Sequence, residues 1–159
     1  MNYSFSFLEL ARQATTLFPG RRIAVEPYSY TLTFPGRVGS GDVQASKTLK
    51  SNCNFLAASG SFAAFTNAGV PVSSLEDTFI QIQNEGSNER FFADPVPVLH
   101  AFSGVYGVVA EPSAQLFAIP KLIHGNATLA AVLNWSTVAG LTLGGAQLAL
   151  HGVNIYDYE

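Results

Sequence analysis

The sequence predicts an all-β protein: a two-sheet antiparallel β-sandwich, of jelly-roll type, preceded by a short N-terminal helix or arm. Three observations lead there. Apolar and polar residues alternate in several separate stretches, the period-two signature of half-buried strands. Proline and glycine turns join those stretches. The chain has 159 residues, 48% of them hydrophobic, which fits one domain with a substantial core.

Residues 1–27 form the expected arm. Phe7, Leu10, Ala14 and Leu17 or Phe18 recur at helical spacing, and Ser6-Phe7-Leu8-Glu9 reads as a capping box. Pro19-Gly20 ends the pattern, so the spacing predicts a helix over 7–17, docked on its own domain or on a neighbour. Residues 28–159 form the sandwich. Tyr28, Tyr30, Leu32 and Phe34 alternate with Ser29, Thr31 and Thr33, a strand bracketed by Pro27 and Pro35. The glycine-rich run 35–42 lacks the Gly-Lys-Ser/Thr ending of a phosphate loop and reads as a flexible connection. Phe55 to Phe65 reads as a strand bent or bulged near Gly60.

Thr78–Gln83 puts Ile80 and Ile82 on one face and Gln81 and Gln83 on the other. Asn84 to Asn88 is a turn in which Gly86 tolerates positive φ. Val96–Phe102 reads as a strand, held to an edge or a strand start by Pro97. Tyr106–Pro120 reads as a loop with a brief extended piece. Leu129–Trp135 alternates again, and Leu141–Leu150 changes parity across Gly144-Gly145, which predicts a β-bulge. Val153–Glu159 reads as a last edge strand.

Charge narrows the function classes. Charged residues make up 12% of the chain, about half the usual share. Six Lys and Arg against three acids give +3 over residues 1–50, and two against eight give −6 over 51–159. That asymmetry suits head-to-tail contact between copies as well as it suits a solvated surface. No basic stripe with interleaved aromatics is present, so direct nucleic-acid binding is not expected. No secretory signal or membrane-spanning run is visible.

Catalytic chemistry has no foothold in the pattern. Cys53 is the single cysteine and lacks an adjacent base, so a buried structural role is expected. His100, His124 and His151 are widely spaced, and no metal site is predicted. Ser59 and Ser103 lack a nucleophile-elbow frame, and Glu76-Asp77 would point to opposite faces of a strand. The expectation is therefore a protein that is not an enzyme and carries no cofactor. Aromatic residues offer the alternative of a carbohydrate- or receptor-binding β-sandwich, with Tyr28, Tyr30, Phe91, Phe92, Tyr106 and Trp135 as a stacking platform or as core. Phe91 and Phe92 cannot both point inward from a regular strand, so one of them is expected to face a partner. The interface candidates are Tyr3, Phe5, Phe7, Arg12, Arg21, Arg22, Phe91 and Phe92.

The Phe-Phe-Ala-Asp-Pro-Val-Pro-Val-Leu corner (91–99) and the proline- and glycine-joined strands form one half of a family resemblance. The other half is the C-terminal region, where only Glu111 and Lys121 carry charge between Pro95 and Tyr156. Over about residues 28–156 the chain resembles the small β-sandwich proteins that build bacteriophage and other viral particles. The resemblance implies a self-assembling capsid, cement or decoration subunit. Its partners would be copies of itself and other particle proteins, and it would reside in the virion after assembly in the host cytoplasm.

Overall fold

The computed structural model describes residues 6–72, 75, 77–102, 115–136 and 142–158. The elements run in order as α1 (Phe7–Leu17), β1 (Arg22–Phe34), β2 (Gly41–Thr48), β3 (Asn54–Thr66), β4 (Phe79–Asn84) and β5 (Val96–Pro97). They continue as α2 (Val98–Ala101), β6 (Gln115–Ile123), β7 (Thr128–Trp135) and β8 (Leu143–Tyr158). Two antiparallel four-stranded sheets pack face to face, in the orders β1-β8-β3-β6 and β2-β7-β4-β5. The pairing is nested: β1 with β8, β2 with β7, β3 with β6, and β4 with β5. Their inward residues form one core containing Leu32, Phe34, Phe55, Phe62, Ile80, Ile82, Leu129, Leu133, Trp135, Leu148 and Leu150. The all-β sandwich expectation holds.

The helix forms as its local signals require. Ser6 accepts from the Glu9 amide, and the Glu9 carboxylate accepts from the Ser6 amide at 2.8 Å, closing the capping box. An eleven-residue helix is marginal alone in water. Leu10 and Ala14 anchor it on Leu56, Ala58, Val153 and Ile155, on the outer face of the first sheet. Docking is thus on its own domain.

Several expectations need correction. The strand expected to start at Tyr28 starts at Arg22, so Pro27 lies inside β1, opposite Val153. Because β1 is an edge strand, half its backbone amides have no ladder partner and proline is tolerated there. The loop at 35–42 is tied: Arg37 exchanges backbone hydrogen bonds with Leu143 at 2.8 and 3.1 Å, and its guanidinium reaches Ser40 O and Asp42 O. β2 has no counterpart among the expected strands, because only Val43 and Ala45 of its eight residues are buried. In the 84–88 turn, the positive φ falls on Asn88 (54°) rather than on Gly86.

The expected Val96–Phe102 strand lasts two residues before α2 takes over. Val98 and Phe102 are both fully buried because they lie one helical turn apart, not because they alternate along a strand. Edge strand β6, Gln115–Ile123, takes up the end of the expected loop Tyr106–Pro120, whose residues 106–114 lie outside the described residues. The C-terminal segment is no edge strand either. It continues β8, which lies between β1 and β3.

The bulge at Gly144-Gly145 is present. The β3–β8 register jumps from Phe65↔Gly145 to Thr66↔Leu143, skipping Gly144. Leu143 and Ala146 are both buried across the jump, which reconciles the two parities. A second shift between Ala57 and Ser59 supplies the bend expected near Gly60.

The bulge predicts a contrast between neighbours. A Cβ at Gly144 would press into the backbone of Thr66, whereas at Gly145 the nearest atom is Phe34 O at 3.5 Å. Gly144→Ala should cost about 2–3 kcal/mol, a fall of roughly 5–10 °C in Tm, and Gly145→Ala less than about 1 kcal/mol. Equal melting temperatures for the two variants would contradict the bulge geometry.

Candidate functional site

Three places concentrate polar chemistry. The first lies at the end of the first sheet that extends past the second. On its inner side Tyr30 and Asn154 are buried, Tyr28 and Tyr156 are half-buried, and Glu26 is exposed. The Lys50 amide donates to the Tyr30 hydroxyl at 3.2 Å, and that hydroxyl donates to Asn154 Oδ1 at 3.5 Å. Tyr156 donates to Glu26 Oε2 at 2.8 Å, and the Lys50 ammonium sits 4.2 Å from the centre of the Tyr28 ring. Cys53 is buried in the same group. Burial pushes its thiol pKa up, partly offset by Lys50 and by the Tyr156 and Tyr30 hydroxyls. A thiol so placed stays protonated at neutral pH and is a poor nucleophile. The cluster reads as a polar plug for the sandwich end, and Asn154 Nδ2 is its one buried amide nitrogen without a partner among the described residues.

The second place is a rung across the outer face of the first sheet. His151 on β8 bonds Ser29 on β1 through Nδ1 and Ser61 on β3 through Nε2, both at 2.9 Å. Neither serine is marked by the sequence, because the three residues lie on three different strands. The imidazole pKa is lowered by burial. The arrangement resembles a nucleophile and base, but a second serine stands where an orienting acid would, so what it does is link three strands.

The third is the surface of the two sheets. On the outward face of the second sheet, cross-strand rows run Asp42–Asn134–Phe79, Gln44–Val132–Gln81 and Ser46–Ala130–Gln83. Asp42 is the only ionisable residue in them, and it accepts from Asn134 Nδ2 at 2.7 Å. Beyond the helix footprint, the outward face of the first sheet has the rows Ser29–His151–Ser59, Thr31–Ala149–Ser61 and Thr33–Gln147–Ala63. In these rows Asp42 and His151 are the only ionisable residues.

The sequence candidates do not gather into one site. Tyr3 and Phe5 lie outside the described residues. Phe7 is 45% exposed at the margin of the docked helix, where Arg12 is also exposed. Arg21 forms an ion pair with Asp157 of the same chain, and Arg22 stands exposed at the start of β1. Phe91 and Phe92 are both half-buried against the core. They lie in a bend rather than a regular strand, which removes the reason for turning one outward; Phe92 meets Phe102 edge-on at 6.4 Å. The proposed aromatic platform does not form from Tyr30 and Trp135, which are 3% and 1% exposed, and Tyr106 lies outside the described residues. His124 is exposed in the turn before β7, and the side chain of His100 lies outside the described residues. Among the described residues no group of three His, Cys, Asp or Glu side chains could hold a metal ion, and no helix is long and apolar enough to cross a membrane.

The docked helix and the histidine rung can each be tested. Deleting residues 1–20 uncovers Leu56, Val153 and Ile155 and should cost roughly 3–6 kcal/mol, seen as a Tm lower by roughly 10–20 °C. An unchanged melt would mean that the helix is not held by its own sheet. For His151 the folded pKa lies below the unfolded value of about 6.5, so the unfolded chain takes up the proton first. Stability held above that value should fall as pH drops from about 6.5 through the folded pKa. His151→Gln should flatten this segment of the pH–stability curve in urea titrations, and a wild-type curve already flat there would refute it. No protein-family model and no curated protein matches this chain.

Proposed function

We propose that this protein is a non-enzymatic structural subunit of a viral particle, in a capsid, cement or decoration role, and that its sandwich is a jelly roll. The observation that carries the reading is the strand order. Eight antiparallel strands pair in the nested order 1–8, 2–7, 3–6 and 4–5, and lie as 1-8-3-6 over 2-7-4-5. A long hairpin rolled into two layers has this order, and viral capsid proteins are prominent users of such double-Greek-key sandwiches.

The charge pattern supplies the second support. Soluble monomers normally coat their surface with mixed charge. Here the six outward rows named above hold only Asp42 and His151 as ionisable groups, and Asp157, near the end of β8 on the outer face, is paired with Arg21. Surfaces of amides, hydroxyls and small apolar groups lose little on desolvation when neighbouring subunits cover them, provided their hydrogen bonds are remade. In this reading the partners are further copies and other particle proteins, and the site of action is the virion.

Sedimentation of the native protein, with negative-stain images, tests the assembly. A defined species well above the 16.9 kDa protomer is expected. Gln44→Lys with Ser46→Lys, or Thr31→Lys, should shift that species toward the protomer while leaving Tm within about 2 °C, since these side chains are exposed on the outward faces. A wild-type protein that stays a protomer at every concentration rules out self-assembly.

A further inference from the structure

Where β3 ends against the bulge of β8, the outer surface of the first sheet dips into a groove of roughly 310 Å³. Its walls are Thr33 from β1, Phe65 and Asn67 from the end of β3 and the turn beyond, and Gly144, Gly145 and Gln147 from β8. Among the described residues that line it, none is ionisable. Phe65 stands directly across the ladder from Gly145, so no cross-strand side chain covers its ring from that direction. Thr33, Asn67 and Gln147 are exposed at the rim, and their side chains make no hydrogen bond among the described residues.

We propose that this groove binds a neutral polyhydroxylated ring, one or two sugar residues of a glycan. The size is at the lower end of ligand pockets, about 300–1,000 Å³. A charged ligand would give up hydration here without meeting a counter-charge. A wholly apolar ligand would strip water from the rim amides and hydroxyl and return nothing to them. A sugar ring satisfies both constraints. Its C–H face lies on the Phe65 ring, and its edge hydroxyls meet Asn67 and Gln147, each of which both donates and accepts. The bulge glycines keep the opposite wall free of side chains, so the ring can approach the backbone. This site is separate from the tyrosine cluster, and the titration reads it on the free protomer, before any neighbouring subunit covers that face.

The test is a titration of the ¹⁵N-labelled full-length protein with glucose, galactose and N-acetylglucosamine, following the amide signals of Gly69, Gly144 and Gly145. Glycerol is the control that offers hydroxyls without a ring face. At least one sugar should give saturable shifts at these glycines, with a Kd of about 1 mM or weaker as suits an open groove, and glycerol should give none. Asn67→Ala with Gln147→Ala should weaken binding by about tenfold or more while the rest of the spectrum overlays the wild type. Thr33→Lys, which lays a long cation across the groove, should abolish it. No saturable shift with any of the three sugars, equal binding by the double variant, continued binding by Thr33→Lys, or glycerol matching the sugars would each overturn the proposal.

Discussion

The structure depends on β8, which pairs with β1 along one edge and with β3 along the other. Its sixteen residues must satisfy two ladders and two faces at once. Leu148 and Leu150 point into the sandwich, while Val153 and Ile155 point out beneath the helix. This is possible because register is adjusted at the Gly144 bulge and again across Ala58 on β3. Just past the second shift, Gly152 lies so close to the backbone of Leu56 that any Cβ would collide with it. A slip of one residue would turn Leu148 and Leu150 outward and put Gln147 and Ala149 in the core.

Where the first sheet outruns the second, its two faces meet different surroundings. On the outside the helix lies over Leu56, Val153 and Ile155, and that face stays dry and apolar. On the inside no described strand of the second sheet pairs with Tyr28, Asn154 or Tyr156, both tyrosines are half-buried, and a purely apolar surface among the described residues there would meet water. Tyrosines serve because each has an apolar ring and a polar tip: Tyr30 packs edge-on against Phe55 at 4.8 Å while its hydroxyl joins Lys50 to Asn154. Cys53 fits the same place as a small apolar group raised in pKa by burial, which argues for packing rather than reactivity.

Charge placement links the fold to the proposed assembly. The basic leading half does not simply reach away from an acidic body: Arg21 meets Asp157 within the chain, and the Arg37 guanidinium is spent on the loop before β2. Exposed charges such as Lys50, Glu85, Glu89, Arg90 and Asp94 lie between the strands instead of on the sheet faces. Charged rims around neutral faces suit copies that approach through their flat sides, with the rims left hydrated. The edges are guarded separately, by Pro27 in β1, by Pro120 in β6 and by the shortness of β5.

Local signals in the sequence determined the helix over Phe7–Leu17, through its capping box and its Pro-Gly stop. They also determined the strands around Tyr28–Phe34, Ile80–Ile82 and Leu129–Trp135, through clean alternation. The bulge at Gly144 was readable too, since leucines that change parity beside two glycines can all face inward only if one residue is inserted there. Tertiary structure alone decided the rest. β2 has too few apolar residues to declare itself, and it is a strand because β7 offers it a ladder. Val98 to Phe102 satisfies both an alternating and a helical pattern over five residues, and burial of Val98 together with Phe102 selected the helical turn. The His151 rung and the Phe65 groove each join residues from β1, β3 and β8, which long stretches of chain separate. No local pattern encodes such neighbours, because strand pairing across a folded hairpin is set by the total burial of the core rather than by any one segment.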